Sequence, residues 1–191
     1  MARVATHTLE AQHRSLEWAK QVSIIVGASL FVALCARVTI PLLPFTPVPL
    51  TLQNFGVLVG GLTLGSRRGF AALALYLIEG ASGLPVFNPA GPGGMLQLLG
   101  PTGGYLMAYP FVAFVAGWIF EHSSRRFFSA ALASLAGEIV LFAAGLSWLY
   151  TQTHSLTLAL RIGLYWFVFA EVIKILMAAG VGERGRKWLA R

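Results

Sequence analysis

The chain holds a single cysteine, Cys35, in 191 residues. No disulfide can therefore form within it, and no cysteine-based metal site can be assembled from it. Charge is scarce too: 11% of residues are Asp, Glu, Lys or Arg, less than half the share of an average soluble domain. The GxxxxGK[ST] nucleotide loop is missing, so the chain is not expected to hydrolyse ATP. HExxH is missing as well, and His7, His13, His122 and His154 fall near or outside the ends of the apolar runs, where solvent satisfies them. No cysteine or serine sits in a recognisable nucleophile motif, which disfavours an enzyme. An intramembrane acid-base enzyme using Glu79 or Glu138 is the weaker alternative. No repeat of roughly 20–50 residues and no disordered linker divides the chain.

What is abundant is apolar surface, at 57% of residues. Val22 to Ala36 and Ala130 to Tyr150 hold more of it than one small core needs. The expectation is an all-α integral membrane protein of about six helices, with spans at 22–40, 52–66, 69–84, 104–120, 127–150 and 156–181. Residues 1–21 then form a polar or interfacial segment, with a short helix from Thr8 to Lys20; residues 22–181 form the core, and 182–191 a basic tail. The long polar start with Glu10 and Glu17 fits a cleaved signal peptide poorly, so the first run is read as a retained helix. Several spans are short for a bilayer core needing about 20 residues, as expected where helices stop partway and irregular backbone lines a cavity.

The net charge of +7 does not point to nucleic acid, because the basic residues form short clusters rather than a stripe interleaved with aromatics. Arg3, Arg14 and Lys20, then Arg67 and Arg68, then Arg125 and Arg126, then Arg184, Arg186, Lys187 and Arg191 mark alternate ends of the runs. Six crossings place all of them on one face. The positive-inside rule makes that face, with both termini, cytoplasmic, and puts the segments 41–49 and 85–104 outside.

Between the runs, Pro41, Pro44, Pro47 and Pro49 force an extended stretch leading into Thr51, Leu52 and Gln53, either a cap over a cavity or a stiff turn. Gly83 to Tyr105 is dense in glycine and proline, so some of its amides are free of helix and suit carboxylates or ureas. Gly56, Gly60, Gly61 and Gly65 have a small-xxx-small spacing that favours internal packing. Ser29 and Ala33 share that spacing and form a candidate flat surface for a partner subunit. Trp118, Trp148 and Trp188 lie near span ends, as interfacial anchors do, and Trp148 could alternatively face an outer cavity.

Ionisable residues within the spans are the sharpest signal, since a charge at the bilayer centre costs on the order of 3 kcal/mol even on lenient scales. Glu171 and Lys174 are three apart on the last span, on one helix face, able to neutralise each other or to clasp a ligand. A carboxylate accepts from N–H groups while an ammonium attracts a carboxylate, which suits a small ligand with urea and acid ends. Glu138 and Arg161 are a candidate structural pair across spans five and six, and Glu79 is expected near the outer interface or protonated.

PVPLTLQ at 47–53, LGSRRG at 64–69, GLPVF at 83–87 and GPTGGYL at 100–106 resemble, in order and spacing, the signature of the BioY family. The resemblance runs from about Ile24 to Ala178. It implies the fold of an S component of an energy-coupling factor (ECF) transporter: a six-helix protein of the prokaryotic cell membrane that binds biotin near its outer face. It is not an enzyme, has no cofactor, and relies on a transmembrane coupling protein and two ATPases for transport. The resemblance implies biotin contacts from Glu171, Lys174 and Asn88, with Thr51, Gln53 and Tyr105 completing the pocket or its lid. It also implies a coupling-protein contact on span one, assigned to Ser29 and Ala33. The family's last helix usually carries aspartate three residues before lysine, after a Pro-Gly pair; here Phe169 and Ala170 precede Glu171. That predicts a longer acidic arm and a straighter helix. An S component for riboflavin or thiamine is the alternative.

Overall fold

The computed structural model describes the backbone of residues 2–189 and the side chains of 14–185. Almost all of it is helix: α1 (Ala2–Arg37), α2 (Gln53–Leu64), α3 (Ser66–Ala81), α4 (Gly94–Leu99), α5 (Gly103–Glu121), α6 (Phe127–Thr153), α7 (Leu156–Leu160) and α8 (Val168–Leu189), with a π-helical turn at Arg161–Tyr165. The one sheet pairs β1 (Thr39–Ile40) antiparallel to β2 (Leu50–Thr51), Thr39 opposite Thr51. A helix covers each stretch expected as a span, although α1 starts well before residue 22 and α8 runs on past residue 181. The segment expected as a separate interfacial helix instead runs unbroken into α1. The side chains of Arg3, His7, Glu10, His13, Arg186, Lys187, Trp188 and Arg191 lie outside the described residues.

By length and hydropathy, α1 from Arg14 onward, α5 and α6 can each cross a membrane, and α7 with α8 makes a fourth, bent candidate. This is a multi-pass membrane protein. At 12 and 16 residues, α2 and α3 are only about 18 and 24 Å long at 1.5 Å per residue, and they do not meet that test. In α2 that shortness goes with burial. Most of α2 is sequestered by neighbours, with α1, α3, α5 and α8 packed around it.

Small residues permit that enclosure. A methyl group added at Gly61 would lie 2.5 Å from the Ala113 carbonyl oxygen, and one at Gly56 would lie 3.2 Å from Cys35 Sγ. The glycine spacing of α2 thus serves internal packing against α5 and α1. The same holds for Ser29. Its side chain is fully buried and donates to Glu79 of α3, so it does not lie on an open partner surface. Ala33 is half-buried. The face of α1 that remains open carries Gly27, Leu30, Phe31 and Leu34.

Contacts between helix ends give the bundle two distinct poles. Ser66 Oγ donates to Glu121 at 2.8 Å, and Gly182 of α8 abuts Leu62 of α2. The exposed Arg67, Arg68, Arg125, Arg126 and Arg184 therefore gather at one pole, as alternating crossings require. The segments 38–52 and 82–102 lie at the other. Overpacking the α2–α5 contact tests this arrangement: Gly61→Val should lower stability by about 1–3 kcal/mol. Gly60→Ala, whose added methyl meets nothing nearer than Leu73 Cδ2 at 3.8 Å, should change it by less than about 0.5 kcal/mol. Thermal unfolding of both variants in detergent reads the difference.

Candidate functional site

At the pole opposite Arg67, Arg68, Arg125, Arg126 and Arg184, the pole where α1 ends at Arg37, the helices surround an open-mouthed cavity. It is lined by Thr51, Gln53 and Asn54 at the start of α2, by Asn88 and Thr102 of the glycine-rich segment, by Tyr105 and Tyr109 of α5, by Leu141 and Phe142 of α6, and by Phe167, Glu171 and Lys174 of the last span. All six residues expected to touch a ligand, Thr51, Gln53, Asn88, Tyr105, Glu171 and Lys174, are brought together here.

Irregular backbone builds the walls. The proline-rich stretch 41–49 is folded back by the β1–β2 pair and covers the cavity's side with Val48 and Pro49. It is fastened to the last span by Thr46, whose Oγ1 donates to the Ile162 carbonyl at 2.6 Å, and by Phe45 against Trp166, ring centroids 5.0 Å apart. The stretch is a cap as well as a turn. In the glycine-rich segment, Tyr76 holds the backbone in place. It receives a 2.7 Å bond from Gln53 Nε2 and donates to the Val86 carbonyl at 2.9 Å. Gln53 therefore lines the cavity while its amide nitrogen supports the wall. Asn88 accepts from the Ala90 amide at 3.2 Å, a local turn that fixes its orientation. Trp148 does not line this cavity; its Nε1 donates to Gly100 at 2.9 Å and ties α6 to the loop before α5.

The last span does not straighten despite lacking Pro-Gly. It bends by 47° between the π turn and α8. A π turn loosens the regular ladder, and two carbonyls within it bond to side chains from elsewhere: Ile162 to Thr46, and Gly163 to the Tyr105 hydroxyl at 2.8 Å. Tyr105 fits only because α6 has glycine opposite: a methyl at Gly145 would lie 2.2 Å from its ring. The bend delivers Glu171 and Lys174 to the cavity floor.

There Lys174 Nζ lies 2.7 Å from Glu171 Oε1, and both residues are 7% exposed. Asn54 donates through Nδ2 to Glu171 Oε2 at 2.8 Å and to Glu138 Oε1 at 2.5 Å. Glu138 was expected to pair with Arg161, but Arg161 is exposed, and a neutral amide from α2 takes the place of a cation. Glu79, half-buried, is held by Ser29. Asn54 was not anticipated. A neutral polar residue on an apolar helix carries no charge signal, and only its seat between two carboxylates reveals it. His122 and His154 are exposed, and among the described residues no cluster of potential metal ligands occurs.

These features define a class: a helical membrane protein with a small-molecule cavity at one pole and a charged pair on its floor. The BioY family model matches residues 6–191, and the chain belongs to the BioY family. It is 38% identical over 167 residues to the probable biotin transporter BioY of Pyrococcus horikoshii, covering 87% of this chain and 96% of that one. With the biotin transporter BioY of Thermotoga maritima it shares 37% over 164 residues, covering 85% and 95%. The crystal structure of the S-component for biotin from an ECF-type ABC transporter has the same fold, with a TM-score of 0.81 at 29% identity, covering 90% and 93% of the two chains.

The floor's charge pairing makes a stability prediction. Lys174→Met strips the cation from a buried carboxylate and should cost about 3–5 kcal/mol, whereas adding Glu171→Leu should recover at least half of that. Thermal melts of the single and double variants would reveal an absent recovery, which would mean the pair is open to water.

Proposed function

We propose that this chain captures biotin in the polar-floored cavity and delivers it across the cell membrane as the S component of an ECF transporter. The observation that carries this reading is the meeting, in a chain of the BioY family, of an intramembrane Glu–Lys pair and aromatic walls in one cavity. Biotin has matching parts: an apolar thiophane ring and chain, a ureido group with two N–H donors beside one carbonyl, and a carboxylate. The ring and chain pack against Tyr105, Phe142 and Phe167. The ureido group meets the floor, where Glu171 accepts an N–H and Lys174 donates to the carbonyl. The ligand carboxylate stays toward the mouth near Asn88, Thr51 and Gln53, because two glutamates at the floor repel it.

In this reading one membrane domain crosses six times, α2 and α3 included, with the arginine pole and both termini cytoplasmic and the cavity opening outside. The chain is a binding subunit, not an enzyme. A transmembrane coupling protein and paired ATPases supply the energy, and the open face of α1 beside Ala33, carrying Gly27, Leu30, Phe31 and Leu34, is where the coupling protein docks. Its small and apolar side chains permit close helix approach in lipid.

Binding of radiolabelled biotin to the detergent-purified chain tests the ligand. Nanomolar affinity displaced by unlabelled biotin but not by riboflavin or thiamine is expected, and Lys174→Ala should weaken it at least about tenfold, the loss of one charge-assisted bond. Displacement by another vitamin would reassign the ligand. For topology, with Cys35 buried, an impermeant thiol reagent on intact cells should label Ser82→Cys and reach Arg68→Cys only after permeabilisation; the reverse pattern would invert the orientation.

A further inference from the structure

We propose that Asn54 is a ligand-contacting specificity residue whose side-chain carbonyl accepts one ureido N–H, and that Glu138 is the positioning residue that holds it in that orientation. The inference rests on the biotin reading above and adds two residues to its site.

Asn54 sits in the first turn of α2 and lines the cavity, only 4% exposed. Its Nδ2 is committed, donating to Glu138 on α6 and Glu171 on α8. The amide nitrogen, with two N–H groups to give, stands between one oxygen of each carboxyl group. The opposite end, Oδ1, is then fixed in direction. That oxygen is buried and has no hydrogen-bond partner in the protein. An orphaned acceptor on a cavity-lining residue costs free energy until something donates to it, and the same side chain also holds Glu171.

Donor and acceptor counts identify the complement. Around the floor, Asn54 Oδ1 and the Glu171 carboxylate can accept, Lys174 can donate, and the Tyr109 hydroxyl stands beside them able to do either. A ureido group offers two N–H donors flanking one carbonyl, which matches two acceptors and one donor. With Glu171 taking one N–H, Asn54 Oδ1 takes the other.

Glu138 does not line the cavity. It stands behind Asn54, 3% exposed, and acts only through the amide it receives. Without an acceptor there, the amide has one anchor rather than two and can turn its nitrogen toward the ligand, presenting a donor to a donor.

The experiment compares biotin with its two mono-N-methylated ureido derivatives on the purified full-length chain. Wild-type protein should bind both derivatives at least about 30-fold more weakly than biotin, because each leaves one acceptor, Glu171 or Asn54 Oδ1, without its N–H. In Asn54→Leu, similar in size but without the amide, biotin should weaken by about 30-fold and the discrimination against one of the two derivatives should shrink below about threefold while the other persists, the signature of direct coupling. Glu138→Leu should also weaken biotin, and Glu138→Gln, which keeps an acceptor oxygen, should recover at least about tenfold of that loss.

Equal wild-type affinity for biotin and both methylated derivatives would overturn the N–H contact. So would a folded Asn54→Leu that retains wild-type affinity or discrimination against both. Equal losses in Glu138→Gln and Glu138→Leu would overturn the positioning role. Should Asn54→Leu fail to fold, the methylated ligands on the unaltered chain decide alone: weakening of both supports the assignment, and weakening of only one overturns it. A wild-type chain that binds no biotin sinks the underlying reading and this one together, whereas biotin binding with discrimination against a single derivative rejects only the assignment of Asn54.

Discussion

The structure turns on the need to neutralise two carboxylates and one ammonium in an apolar surround. Glu138, Glu171 and Lys174 come from α6 and α8, and Asn54 of α2 joins them through two hydrogen bonds. A buried charge without partners would carry a penalty of several kcal/mol, so the three helices are held in one relative placement. The consequence spreads outward. For α8 to present Glu171 and Lys174 at that point, the last span must bend, and the bend exposes carbonyls that Thr46 and Tyr105 then occupy. Those two hydroxyls carry the cap and the aromatic wall into position. The ion pair, the bend and the roof of the cavity form one connected arrangement.

Glycine does the complementary work. Where α2 meets α5, and where Tyr105 meets α6, a single added methyl would collide with backbone or ring. Close helix approach in lipid draws on van der Waals contact and hydrogen bonding rather than on expulsion of water. The short helix α2 is surrounded by its neighbours, and its 12 residues, rather than any lack of apolar character, keep it from meeting the length of a membrane crossing. The cost of the arrangement is a set of polar atoms with no internal partner, among them Asn54 Oδ1 and Glu138 Oε2. In a stable core these would be defects. Asn54 stands on the cavity floor, where a ligand can supply the missing donor, and Glu138 stands behind it.

The legible parts of the sequence were those with a strong one-dimensional signal. Hydropathy located the helices, and the spacing of arginines pointed to shared ends, where the contacts of Ser66 with Glu121 and of Gly182 with Leu62 bring Arg67, Arg68, Arg125, Arg126 and Arg184 to one pole. The three-residue offset of Glu171 and Lys174 gave a shared helix face, and ordered motifs gave the family. Signals with two readings needed coordinates to separate them. Ser29 and Gly56 have the same small-residue character, yet the coordinates turn both inward. The run of prolines before Thr51 reads equally as a turn or a cap until Thr46 is seen fastened to the last span.

What the sequence determined by itself was composition-driven: a membrane solvent, a helical chain, and charged residues too costly to be placed idly. Partnership between residues came from the packing of the helices. Glu138 had an arginine available on the next span, and the fold gave it Asn54 from α2 instead. The last span lacked the residues usually associated with a break and bends all the same, because hydroxyls distant in sequence accept the role of partner to its freed carbonyls. Periodicity reports which face a residue occupies. Which residue from another helix meets that face depends on the packing angles and bends of several helices at once, and those are fixed only when the whole bundle closes.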